Sequence, residues 1–247
     1  GIDGFRCDVA GFVPIDFWNT AITTLRANNG PLFMLAEWED PALIEAGFNA
    51  VYGWEFHHIM NEVATGHKSV SAIAEYAAKC DTVWPTETMK MYFNTNHDEN
   101  SWNGTVEERM GDLGNAMYIL ASMMKRSFPL IYSGQEAGLN HRYPFFSKDT
   151  VGLDWSKSHA QSGFFAQMLA LKHKHQALFN GELGYDMALE IDTATNSMRI
   201  WRGEEGETDE VIAIFEFSEV PGAFEAPENF DLVIEVKGAQ IWASKLD

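Results

Sequence analysis

From residue 1 to about residue 180, short apolar runs alternate with longer stretches of helical period. Runs at 1–10, 32–37, 48–52, 91–96 and 129–132 read as strands bounded by turn residues. Pro14 and Asp16 open a helix expected to run to about Ala27 and to close at Asn28-Asn29-Gly30-Pro31. A short helix is expected over 41–46, and 56–80 reads as one or two helices broken near Gly66. Thr105 and Glu108 stand at capping-box spacing ahead of Met110, Leu113, Met117, Leu120 and Met124, a stripe along one helical face that reads as core packing. After a long loop holding Asp154-Trp155, another helix is expected near 161–175.

Past Gly181 the period changes to alternation, at 198–202, 211–217, 232–236 and 240–243, the signature of an antiparallel sheet with one buried face. The chain therefore divides into an α/β part, 1–180, and a small antiparallel β domain, 181–247. The βα units of the first part predict a parallel sheet of five strands, whereas a closed (β/α)8 barrel needs eight.

Three of the runs end in a carboxylate: Asp8 after Gly4-Phe5-Arg6-Cys7, Glu37 after Phe33-Met34-Leu35-Ala36, and Asp98 after Phe93-Asn94-Thr95-Asn96-His97. Strand C-termini are where parallel βα folds carry their chemistry, and carboxylates gathered at one rim point to glycoside hydrolysis.

Residues 1–10 resemble the fourth-strand motif of glycoside hydrolase family 13, the α-amylase family, in which an arginine and the nucleophilic aspartate stand two apart. The segment 35–40 resembles the fifth-strand motif with the acid/base glutamate, and 93–100 resembles the seventh-strand Asn-His-Asp motif. Trp54-Glu55-Phe56-His57-His58 is similar to the segment after the sixth strand, and 132–138 to the Gly-x-Glu turn after the eighth. The resemblance covers nearly all of 1–180 and implies a partial TIM (β/α)8 barrel, strands four to eight, followed by the β domain. Nothing here corresponds to the family's first three strands. Gly11 and Phe12 also replace the Lys-His that many relatives place after the nucleophile.

What the resemblance implies for the site is specific. Asp8 is the nucleophile, Glu37 the acid/base and Asp98 the transition-state stabiliser, with Arg6, His97, Trp38 and Asn96 binding substrate. Residues two apart on a strand share a face, so Arg6 and Asp8 both project inward and the guanidinium keeps Asp8 ionised. Glu37 has the opposite task of holding a proton, for which Trp38 and the neighbouring Asp8 and Asp98 supply apolar and anionic surroundings. Trp54 and Trp102 have faces that could stack on sugar rings, but each reads at least as well as a core residue. His57-His58 reads as packing, so no metal ligands are assigned, and calcium is expected at most in the complete enzyme. Asn103-Gly104-Thr105 is a glycosylation sequon too short to act on.

The resemblance thus implies a retaining α-glycoside hydrolase acting on α-linked glucans such as starch or maltodextrin. The alternative is a non-catalytic carbohydrate-binding or interaction protein derived from such a barrel. A five-stranded sheet also has two raw edges, through which a homodimer is expected to form.

Charge narrows the partners. The net charge of -19 disfavours nucleic acid and acidic membranes and suits a neutral substrate. Residues 182–247 hold 16 Asp or Glu against 4 Lys or Arg, so -12 of the total lies in the β domain. No apolar run reaches the length of a membrane span, so no insertion is expected. Cys7 and Cys80 are read as free thiols. Periplasmic, extracellular and cytoplasmic locations all remain compatible with the sequence.

Overall fold

The computed structural model describes residues 1–150, 152–156, 159 and 161–245. Five short strands, β1 (Gly4–Cys7), β2 (Phe33–Ala36), β3 (Ala50–Tyr52), β4 (Met89–Tyr92) and β5 (Ser127–Pro129), form one parallel sheet in chain order. Helices α1 (Ile15–Asn29), α2 (Pro41–Glu45), α3 (Trp54–Ala64), α4 (Val70–Val83), α5 (Val106–Met110) and α6 (Gly114–Met123) supply the crossovers. Helix α7 (Ser162–Lys174) follows the last of these strands.

Alternation along the strands separates two apolar faces. Met34, Ala36, Val51 and Tyr92 point to the helical layer, whereas Leu35, Ala50, Tyr52, Met91 and Phe93 form a second cluster on the inner face. Phe33 and Phe128 join that inner cluster with ring centroids 5.5 Å apart. They stand on β2 and β5, which in a flat sheet would be roughly 14 Å apart, so the sheet is strongly curled. That is a barrel arc, the partial (β/α)8 arrangement expected. Among the described residues β1 and β5 each pair on one side only.

The second sheet is antiparallel, in the order β6 (Asp186–Asp192), β7 (Ser197–Gly203), β8 (Val211–Glu216), β10 (Ala239–Ser244), β9 (Phe230–Val236). Its inner residues Met198, Ile200, Val211, Ala213 and Phe215 belong to the same core cluster as the helical layer. Arg202, 1% exposed, donates from β7 to the carbonyls of Met123 and Met124 at the end of α6 and to those of Tyr185 and Asp186. Asn196 accepts from the Val70 N–H at the start of α4.

Boundaries differ from expectation where polar chemistry overrides apolar pattern. The fourth strand ends at Tyr92 rather than at residue 96, because the buried amides and hydroxyl of 94–96 shape a turn. The stripe from Met110 to Met124 is two helices, since Gly111 takes a φ of +53°, where a side chain is strained. Strand β6 escapes the apolar pattern because it is an edge strand, with its outward positions open to water.

Candidate active site

The register pairs Cys7 with Ala36, which sets Asp8 and Glu37 side by side just beyond two adjacent strands. Backbone bonds hold that end together, from the Glu37 N–H to the Cys7 carbonyl at 2.9 Å and from the Ala10 N–H to the Glu37 carbonyl at 3.3 Å. Arg6 lies between the two carboxylates, with Nη1 2.5 Å from Asp8 Oδ1 and Nη2 2.8 Å from Glu37 Oε1. Its Nε donates to the Tyr52 hydroxyl at 3.1 Å, so an inward-facing β3 residue fixes the guanidinium. Burial works against the Arg6 charge, but its bonds to Tyr52 and Asp8 more than offset that and hold it above the usual arginine range. The Arg6 hydrogen bond holds Asp8 below the usual carboxylate range, aided by a hydrogen bond shared with Glu37 and by the charge of His97.

Val9 adopts left-handed backbone, φ +45°, and so turns its N–H onto Glu37 Oε2 at 2.7 Å. A β-branched residue rarely sits there, at a cost of about 1–3 kcal/mol. Glu37 is therefore surrounded by two donors, Arg6 and the Val9 amide, not only by the apolar and anionic neighbours expected from sequence. The Trp38 ring lies over Gly11, where an added Cβ would stand 2.2 Å from it, and against Phe12 with centroids 5.0 Å apart.

Asp98 reaches the same place from β4. One ligand atom each from Glu37, His97 and Asp98 lie within 4.8 Å of one another. His97 Nε2 is 3.5 Å from Asp98 Oδ2. Asn96 sits at a buried turn position instead of in the open mouth, its Oδ1 accepting from the N–H groups of Asp98 and Glu99 at 3.0 and 2.8 Å. Beneath this turn, Glu99 opens a π-helical turn, Glu99–Asn103. Fully buried His57 lies 2.9 Å from Glu99 Oε2 and 3.0 Å from the Phe93 carbonyl. Arg109 donates to the Asn94 carbonyl at 2.7 Å and to Asn61 Oδ1 at 2.8 Å. Burial pushes the His57 imidazole down, against the pull of Glu99. Burial also works to raise Glu99, but His57 and Arg109 outweigh it and hold the carboxyl below its usual range.

A second carboxylate braces the Glu37 loop. Glu39 accepts from the Glu55 N–H at 2.7 Å and pairs with the buried Lys90 Nζ at 2.7 Å, the ammonium lying over the Trp84 ring. Tyr52, Val9, Glu39, His57 and Glu99 all shape the site; the last four stand inside the motif segments, but the motifs assign them no role. Tyr52 had one usable signal, its inward place at a strand end; the others depend on partners distant in sequence.

The donor set gives little support to a cation. Gly11 and Phe12 have no ligating side chain and pack on Trp38, while both Glu37 oxygens already accept hydrogen bonds, one from a positively charged guanidinium. A cavity of about 540 Å³ is lined by residues including Asn94, Asn115, Tyr132, Gln161 and Lys237, and not by Asp8, Glu37 or Asp98.

No family model matches the chain. It is 21% identical over 234 residues to α-amylase MalA of Haloarcula japonica, covering 93% of this chain and 34% of that protein. The α-amylase of Lactobacillus plantarum superposes with a TM-score of 0.75 at 22% identity, over 97% of this chain and 60% of that one. The maltogenic α-amylase AmyB of Thermotoga neapolitana gives 0.73 at 21% identity, over 87% and 49%. The chain thus spans about a third of the curated relative and half to three-fifths of these solved chains. The likeness to α-amylases read from the motifs is matched by relatives of that description, and the fold is theirs.

Proposed function

We propose that this chain carries the catalytic carboxylates of a retaining α-glycoside hydrolase acting on α-linked glucans such as starch or maltodextrin. The observation that supports it most is the meeting of Asp8, Glu37 and Asp98 around Arg6 and His97 at one strand rim. Adjacent strands are about 4.8 Å apart, close to the roughly 5–5.5 Å that a nucleophile and a proton donor need for retention. In this reading Asp8, held ionised by Arg6, attacks the anomeric carbon. Glu37 protonates the departing oxygen and then takes a proton from the incoming water. Asp98 and His97 hold sugar hydroxyls as positive charge develops on the ring, while Trp38 lies at the rim beside Glu37. The turn-capping amide of Asn96 acts through Asp98.

The relatives are amylases, and all three carboxylates are present, so the non-catalytic alternative is not favoured. The substrate is a neutral sugar and not a polyanion, in keeping with the net charge of -19. With one side of β1 and of β5 unpaired among the described residues, the chain alone is expected to hydrolyse little and to form a homodimer through those edges. Asp8→Asn in the complete enzyme should remove nearly all turnover of maltooligosaccharides with the fold intact. Undiminished hydrolysis by that variant would sink the assignment, and a monomeric mass in solution would sink the dimer.

A further inference from the structure

We propose that Trp102, Phe145 and Phe146 form a stacking shelf for glucose rings of an α-linked glucan, continuing the carboxylate site outward past His97. The three side chains are 58%, 40% and 87% exposed, a contiguous aromatic patch on a strongly acidic protein. They form a continuous path from the chemistry. Asp98 lies beside His97, whose ring stacks on Phe145 with centroids 6.0 Å apart at 25°. Phe145 in turn lies 5.2 Å from Trp102 and 4.8 Å from Phe146.

The shelf is assembled from two segments that hydrogen bonds tie together. Trp102 stands on the π-helical turn that begins one residue after Asp98, and the phenylalanines stand on the loop after β5. Buried Asn100 stitches these together, donating to the His141 carbonyl at 3.0 Å and accepting from the Tyr143 N–H at 2.8 Å. Preorganised aromatic faces bind without the ordering cost that loose side chains would impose. Sugar rings present apolar C–H faces to such surfaces, and an uncharged ligand meets no repulsion from the acidic chain. The inference rests on the glucan reading above and adds to it a requirement for several linked rings.

The test is binding by the full chain, measured calorimetrically with maltoheptaose and by retardation in a gel containing soluble starch. Trp102→Ala/Phe146→Ala should bind roughly tenfold more weakly, with circular dichroism unchanged, since both residues are exposed. Undiminished affinity in the double variant overturns the proposal, as does a lack of maltoheptaose binding by the unmodified chain. Conversion of a dimer to a monomer by the same changes, without loss of glucan binding, assigns the patch to a second copy and also overturns it. Binding is read without turnover, so the Asp8→Asn result stands or falls separately.

Discussion

The Val9 amide donates to the Glu37 carboxylate from a left-handed backbone that a valine scarcely tolerates. The conformation is what turns the N–H onto the carboxylate, so residues should be ranked here by φ tolerance and not by size. Val9→Asn, which accepts φ above zero, should keep stability within about 1 kcal/mol of the parent. Val9→Pro fixes φ near -65° and removes the donor, and should cost about 2 kcal/mol or more in urea unfolding. Equal stability of the two variants would remove the argument.

Arg6 sets the titration of Asp8. Because the folded value of Asp8 is lowered, chiefly by the Arg6 hydrogen bond, the pair stabilises the fold at pH above the ordinary aspartate range. That stabilisation fades as pH falls through the lowered folded value. In Arg6→Met the Asp8 midpoint, followed by carboxyl carbon NMR, should climb toward the ordinary aspartate range. A midpoint that stays put would assign the shift to other neighbours.

Glu108 closes the capping box of α5, its carboxylate accepting from the Thr105 N–H at 2.8 Å and from Arg142 at 2.7 Å. The Arg142 bond leads in holding this carboxyl down, at about 2. The cap should therefore hold at neutral pH and be lost only as pH falls toward about 2. Thr105→Ala should cost about 1 kcal/mol at neutral pH, read from the denaturation midpoint.

Removing one member of the buried His57–Glu99 pair strands the other. His57→Leu should destabilise by about 3 kcal/mol, while His57→Leu/Glu99→Leu should recover a good part of that loss. A double variant as unstable as the sum of the singles would mean that the two groups are not coupled.

Much of this was legible from sequence because the fold writes itself locally. Strand cores were marked by apolar runs, and the carboxylates stood where those runs ended. The curl of the sheet was not marked, since it appears only when Phe33 meets Phe128 across three strand spacings. Nor was the brace under Asp98. His57 and Glu99 are 42 residues apart, and neither period nor spacing announces a pair assembled by the tertiary fold. Trp102 reads from sequence at least as well as a core residue, and its exposure instead places it on the surface.

Arg202 has a thermodynamic consequence. A cation with its hydrogen bonds invested in carbonyls of α6 and of the segment entering β6 cannot be left behind when either layer melts, because water would have to reach it first. Calorimetry should accordingly register one endotherm for the whole chain, and heat that loosens the acidic sheet should release the helix behind the Asp98 turn in the same event.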